Sequence, residues 1–295
     1  MAIKTIMVVG SGFMGAGIAQ VGAQAGYEII MNDVKMEIID KGYNSIVKNL
    51  EGQVKKEKIT AGEMEAALAR VRKDTDIDAA KAADFIIEAA FENIEIKKEI
   101  FHRLDAVCPR EVIFATNTSS ISITTLAATV QRPDRFLGMH CFSPVPVMRL
   151  VEVIKGLKTS EEVTRIVEEI AAKMKKESIR VKDVPGFLVN RINAALRSEV
   201  YNCLIEGVAS LEDIDKGLKL GLNHPMGPFE LGDFVGLEIG LNVFKTLYEG
   251  YKDPKFRPPL VLEKLVQSGD LGRKTGKGWY DYTSGEKRPR TDINL

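Results

Sequence analysis

Two sets of residues in this chain have the types and spacing to do chemistry. The first is Gly10-Ser11-Gly12-Phe13-Met14-Gly15, which follows the apolar run Ile6-Met7-Val8-Val9 and opens a helical pattern through Ile18, Val21, Gly22 and Ala25. In a strand–turn–helix unit the first glycine permits the tight turn, the second lets backbone approach a pyrophosphate, and the third lets helix pack on strand. The anion then rests on the helix N-terminus, where unpaired N–H groups and the dipole favour negative charge. A second apolar run, Tyr27-Glu28-Ile29-Ile30-Met31, ends at Asn32-Asp33, eighteen residues after Gly15. That is about the offset of the acid that holds a ribose 2′-hydroxyl. Gly10, Gly12, Phe13, Met14, Gly15 and Asp33 therefore predict a dinucleotide site. The plainer alternative is a structural glycine turn followed by a strand-end aspartate.

The second set must supply a proton carrier, because a dinucleotide site by itself leaves the reaction open. Of three histidines, His102 sits in a helical pattern beside Arg103 and reads as a solvated surface residue. His224, within Asn223-His224-Pro225-Met226, reads as a turn or cap. His140 ends the apolar run Phe136-Leu137-Gly138-Met139 and so points at the cofactor edge of the sheet. A free imidazole, with a pKa of about 6.5, can take a hydroxyl proton near neutrality while hydride leaves the adjacent carbon. Glu152 lies inside Leu150-Val151-Val153-Ile154, and a lone carboxylate there would be costly. His140 is its expected partner, orienting the ring and stabilising an imidazolium. Two unrelated, separately satisfied polar residues would show the same spacing.

These residues need a scaffold whose strand ends converge. Apolar runs at 6–9, 27–31, 84–89, 112–116, 136–139 and 150–154 alternate with helical patterns, predicting a Rossmann-type, doubly wound, mostly parallel α/β sheet. Two helical stretches after Asp33, the second over 61–70, exceed a plain crossover and read as an inserted helical hairpin. Asn117-Thr118-Ser119-Ser120 closes one strand at the end where open α/β sheets bind ligands. Near Lys182-Asp183-Val184-Pro185-Gly186 the alternation stops. Residues 1–184 are thus expected to form the nucleotide-binding domain and 185–295 an all-α substrate and dimerisation domain, with helices over 187–206, 210–220, 229–247 and 259–268 and a loose tail over 285–295. A helical domain of this kind buries apolar surface against a partner copy, so a homodimer is expected.

Composition narrows the function classes. Lys+Arg and Asp+Glu balance at 41 each, so no overall field draws the chain to nucleic acid or to an anionic membrane. No apolar run approaches the roughly 20 residues that span a bilayer. The first strand begins almost at Met1, with no expected leader, and Cys108, Cys141 and Cys203 share no metal-ligand spacing. A cytoplasmic protein without a metal site is expected.

At the histidine and its surroundings the chain resembles the 3-hydroxyacyl-CoA dehydrogenase family over essentially its whole length. The resemblance is carried by Gly10–Gly15, Asn117–Ser120, the segment 135–140, Pro144-Val145-Pro146-Val147-Met148 with Leu150-Val151-Glu152, the segment 185–191, and Leu271-Gly272-Arg273-Lys274-Thr275-Gly276. In compact length and in its start at the first strand it looks most like the bacterial stand-alone 3-hydroxybutyryl-CoA dehydrogenases. The resemblance implies NAD as cofactor and an acyl-CoA substrate, with His140 as general base, Glu152 as its partner, and Ser119 and Asn190 bonded to the substrate oxygen. It also implies cofactor contacts from Glu92, Lys97, Asn117, Ser119 and Lys274. CoA contacts would come from Lys56 at the end of the hairpin and from positions 49, 119 and 143. Three residues depart from the usual pattern: Ser143 stands where asparagine is common, Asn49 where serine is common, and Cys141 where phenylalanine is usual. They bear on acyl chain length and CoA affinity. The rivals are a related dehydrogenase of free hydroxy acids or sugar acids, separable by a CoA requirement, and a catalytically idle dinucleotide-binding homologue.

Overall fold

The computed structural model describes residues 3–290 together with Asp292 and Ile293. The chain divides into two compact units at the Val184–Pro185 junction. The first comprises β1 (Thr5–Val9), α1 (Phe13–Gln24), β2 (Glu28–Asn32), α2 (Met36–Lys55), α3 (Ala61–Ala69), β3 (Val71–Asp74), β4 (Phe85–Glu88), α4 (Ile94–Val107), β5 (Ile113–Thr116), α5 (Ile123–Ala127), β6 (Phe136–Cys141), β7 (Leu150–Lys155), α6 (Glu161–Lys173) and β8 (Glu177–Lys182). The eight strands lie in the order β3-β2-β1-β4-β5-β6-β7-β8. Every neighbouring pair is parallel except β6 and β7. Strand order reverses between β1 and β4, the switch point beside which doubly wound sheets bind ligands.

The central strands are nearly continuous apolar runs because helices cover both faces. The two outer strands escape the sequence pattern. Val71-Arg72-Lys73-Asp74 and Glu177-Ser178-Ile179-Arg180-Val181-Lys182 are charged edge strands with much of their surface exposed, the usual protection of an edge from further pairing. The hairpin is α2 and α3. A capping box starts α3, with Thr60 Oγ1 accepting the Glu63 N–H and Glu63 Oε2 accepting the Thr60 N–H. Along α2 the buried residues Ile39, Gly42, Ile46 and Leu50 recur at helical spacing. A Cβ at Gly42 would stand 2.3 Å from the Ser11 carbonyl oxygen, so α2 lies directly on the backbone of the glycine-rich turn.

The second unit contains α7 (Val189–Ile205), α8 (Leu211–Gly221), α9 (Pro228–Val235), α10 (Leu237–Tyr251), α11 (Leu260–Gln267) and a short ribbon of β9 (Tyr280–Asp281) with β10 (Arg288–Pro289). The single helix expected over 229–247 is two. Gly236, at φ +111°, ends α9 and starts α10 in a conformation that side chains avoid. The tail expected to be loose is held in part: β10 pairs with β9, the Arg290 guanidinium donates to Asp270, Asp292 and the Gly278 carbonyl, and Ile293 packs against the helical core. Thr291, Asn294 and Leu295 lie outside the described residues.

Two buried aspartates tie this unit together around Tyr201, Phe229, Phe244 and Trp279. Asp215 accepts the Phe229 and Glu230 N–H groups at the start of α9 and the Tyr280 hydroxyl. Asp233 accepts the Trp279 and Tyr280 N–H groups and the Tyr282 hydroxyl at 2.8, 2.9 and 3.0 Å. Burial pushes both carboxyls up, and the hydrogen bonds only partly pull them back. Glu230 goes the other way. Burial alone would raise it, but the Lys287 ammonium, the Gly227 N–H and Lys219 hold it at about 2.

Removing Asp233 would strand buried N–H donors at about 1–3 kcal/mol each, so Asp233→Ala should lose about 3 kcal/mol of unfolding free energy in urea titrations. Because the Glu230 carboxyl is depressed in the fold, its stabilisation is present above the ordinary carboxylate range and fades as pH falls toward 2. The stability gap between wild type and Glu230→Gln, read by urea titration as a function of pH, should therefore narrow steadily on acidification below about pH 4.5. A gap that widens would contradict this.

Candidate active site

The glycine-rich turn connects β1 to α1. Gly10 adopts φ +97° and a Cβ on it would stand 2.6 Å from the Ala89 carbonyl oxygen. At Gly15 a Cβ would stand 1.7 Å from the Gly10 carbonyl oxygen. Both glycines are demanded by the fold itself. Gly12, the N-cap of α1, is different: a Cβ there meets nothing within 4 Å. The open space lies where a pyrophosphate would meet the first amides of the helix, so the turn fits a dinucleotide. Phe13 and Met14 form the first turn of α1, with Phe13 71% exposed. Asp33, just beyond β2, accepts the Ser11 N–H through Oδ2 and the Val34 N–H through Oδ1, both at 2.8 Å. Each oxygen keeps capacity for a further donor, and the carboxylate is fixed to the turn.

His140 and Glu152 face each other across the antiparallel β6–β7 register. Their Nδ1 and Oε2 are 2.7 Å apart, with the residues 5% and 0% exposed. A carboxylate this buried needs a donor, and the imidazole N–H supplies it. The contact sets the ring's orientation and gives an imidazolium an adjacent counter-charge. Phe142 packs on the ring at 4.6 Å between centroids. Asn117, past the end of β5, accepts the Cys141 N–H through Oδ1 at 2.9 Å; its amide N–H groups are the end that can face a ligand.

Ser119, two residues on, is half-exposed, and its N–H donates to Glu92 Oε1. Glu92 also accepts the Thr118 hydroxyl. Burial alone would raise the Glu92 carboxyl, but the Lys97 ammonium and these donors outweigh it and hold it below the usual range. Lys97, on the first turn of α4, is 1% exposed. Its ammonium lies 2.6 Å from Glu88 and 3.3 Å from Glu92, so it sits within the wall, and Glu92 is the member of the group that reaches the surface.

A cleft of about 770 Å³ opens between the hairpin, the segment after His140 and the end of α6. Asn49 and Lys56 line it, whereas Ser143 is exposed outside its lining. Its wall carries eight basic side chains against one acid, Glu63. Arg70, Arg149, Lys173 and Lys175 among them passed unnoticed in the sequence, where such residues look like solvated helix and loop surface. Lys176 is buried in the same wall and donates to the Val145 and Met148 carbonyls, fixing the segment 145–148. Burial lowers its ammonium. Such a wall suits a ligand with several negative charges.

The remaining expected residues belong to the second unit. Asn190 lies on the first turn of α7, half-buried. Lys274 is half-exposed and paired with Glu238. His102 is exposed on α4 and His224 occupies the turn before α9.

Residues 5–184 match the family described as 3-hydroxyacyl-CoA dehydrogenase, NAD binding domain, and residues 186–282 match 3-hydroxyacyl-CoA dehydrogenase, C-terminal domain. The chain is 44% identical over 287 residues to a 3-hydroxybutyryl-CoA dehydrogenase of Bradyrhizobium diazoefficiens, covering 97% of this chain and 98% of that one. It is 42% identical over 281 residues to a 3-hydroxyadipyl-CoA dehydrogenase of Escherichia coli, covering 95% of this chain and 59% of that longer one. The crystal structure of an (S)-3-hydroxybutyryl-CoA dehydrogenase from Ralstonia eutropha superposes with a TM-score of 0.93 at 46% identity, covering 96% of this chain and all of the other.

Cys141, next to the histidine, is no rival nucleophile. Burial pushes its thiol up to about 12 and that of Cys108 to about 11, leaving almost no thiolate at neutral pH. Iodoacetamide should therefore label the native protein at most once, at half-buried Cys203, and reach all three cysteines only in denaturant. Mass spectrometry of native protein showing a labelled Cys141 would contradict this.

Proposed function

The chain belongs to the 3-hydroxyacyl-CoA dehydrogenase family, an NAD-dependent oxidoreductase family, and from that premise we propose that it interconverts short-chain (S)-3-hydroxyacyl-CoA and 3-ketoacyl-CoA esters such as acetoacetyl-CoA. The observation that carries the reading is the buried His140–Glu152 pair, on the strand edge that also bears the glycine-rich turn. NAD, when bound, exchanges a hydride with the substrate's third carbon. The amides at the start of α1 hold its pyrophosphate, and Asp33 holds its ribose hydroxyls and repels a 2′-phosphate, with Lys35 nearby tempering that repulsion.

During oxidation His140 Nε2 takes the hydroxyl proton, and during reduction it returns it. Glu152 keeps the ring oriented through Nδ1 and offsets the charge of the imidazolium. Ser119 and Asn190 hold the substrate oxygen. The basic cleft, with Lys56 and Asn49, takes the phosphates of CoA, and Ser143 meets the chain that leads from them to the thioester. A free hydroxy acid would leave eight basic side chains without a purpose, which favours the CoA ester. An idle homologue would have no need of a buried Glu–His pair. We assign Lys274 to the cofactor and propose that the helical units of two copies pair. Ile192, Val208, Leu220 and Leu260 each leave more than half of their surface exposed there, at 61%, 68%, 77% and 64%. Free cysteines suit the reducing cytoplasm this reading assigns.

Purified protein should oxidise NADH with acetoacetyl-CoA, and do so at least tenfold more slowly with NADPH or with free acetoacetate. His140→Ala should lower kcat by about 10³-fold, the usual range for a lost general base. Lys56→Glu should raise KM for the CoA ester roughly tenfold, an effect that shrinks at high salt, with kcat nearly unchanged. Wild-type turnover of free acetoacetate at the rate of its CoA ester would move the reading to the free-acid class.

A further inference from the structure

Strand β4 reads Phe85-Ile86-Ile87-Glu88, an apolar run that ends in an acid, and Glu88 is completely buried. It lies at the switch point, paired in register with Val9 of β1 and Thr116 of β5. A buried carboxylate is retained only when its oxygens are satisfied. Glu88 Oε1 accepts the Lys97 ammonium at 2.6 Å and the Ala90 N–H at 2.7 Å, and Oε2 accepts the Thr116 hydroxyl at 2.7 Å. Lys97 in turn lies 3.3 Å from Glu92 Oε2. The other Glu92 oxygen takes the Thr118 hydroxyl at 2.5 Å, the Ser119 N–H at 2.9 Å and the Ser120 hydroxyl at 3.2 Å. One cation therefore stands between two carboxylates, and the outer carboxylate holds the turn that carries Ser119.

We propose that Glu88 is a positioning residue: it holds Lys97 back in the wall, and so fixes how far Glu92 extends toward the Ser119 turn. With no exposed surface it touches neither substrate nor cofactor. Its influence runs through charge. If Glu88 were neutral, Glu92 would be the nearest carboxylate left to the Lys97 ammonium, and it would be drawn inward, away from the Ser119 amide. The consequence for turnover rests on the assignment of Ser119 to the substrate oxygen. The consequence for the turn does not.

The test compares wild type with Glu88→Gln, which keeps the shape, keeps the Ala90 contact through Oε1 and reverses the Thr116 contact, Nε2 now donating to the hydroxyl, but removes the charge. Hydrogen exchange should be at least tenfold faster for the amides of 117–121, with those of β6 unchanged. Acetoacetyl-CoA reduction should slow at least fivefold. In a Ser119→Ala background, Glu88→Gln should slow it by less than twofold more, because both changes act on one group. If Glu88→Gln does not fold, the double variant Glu88→Gln/Lys97→Met removes both buried charges at once, a change that cores tolerate; with no ammonium left to draw Glu92 inward, its exchange at 117–121 should stay within about twofold of wild type. Unchanged exchange at 117–121 in Glu88→Gln, fast exchange there in the double variant, or losses of activity that multiply across the two backgrounds, overturns the proposal. Absence of turnover in wild type would instead count against the CoA-ester reading, with the exchange rates still deciding for or against Glu88.

Discussion

The reversal of chain direction between β6 and β7 is the constraint on which the rest of the site depends. It sets Glu152 directly across from His140. A slip of one residue in that register would send the carboxylate to the opposite face of the sheet, leaving a buried charge unpaired at a cost of several kcal/mol. Burial and the His140–Glu152 contact are therefore enforced by the same register. The connection that makes the reversal is itself pinned, since Lys176 gathers the carbonyls of Val145 and Met148.

Around this pair, the two kinds of charge are treated differently. Groups at the strand ends are buried and multiply bonded, as with Glu88, Lys97 and Asn117, so their positions are set before any ligand arrives. Preorganisation of that kind removes reorganisation from the reacting step. The cations of the large cleft mostly face water, with Lys48, Lys56 and Lys58 exposed. They can attract a polyanion at long range and adjust to it.

Much of this was legible in the chain. The glycine spacing, the acid just past β2 and the apolar strands follow from motif spacing and periodicity, and the demand that a buried Glu152 find a partner pointed to His140 before any fold was drawn. What escaped has physical reasons. The edge strands β3 and β8 carry charges where a central strand carries valine, so their pattern is that of a solvated surface. The break at Gly236 looks like an ordinary helix glycine until its positive φ is seen. Glu88 was hidden because an acid at the end of an apolar run could equally be the first residue of a loop. Only the three-dimensional neighbourhood supplies Lys97, nine residues later, as its counter-ion. The basic wall was hidden for a similar reason, because its residues come from four separated stretches of chain.

The contact of Gly42 with the Ser11 carbonyl has an evolutionary consequence. Because a helix of the hairpin rests on the peptide backbone of the glycine-rich turn, the two move as one piece, and no side chain between them can be enlarged or trimmed to change their spacing. A lineage that shifted the hairpin to suit a different ligand would shift the turn with it. Divergence in ligand preference at this cleft is thereby channelled into the outward-pointing residues of the hairpin, such as Asn49 and Lys56, while the helix axis beneath them stays put.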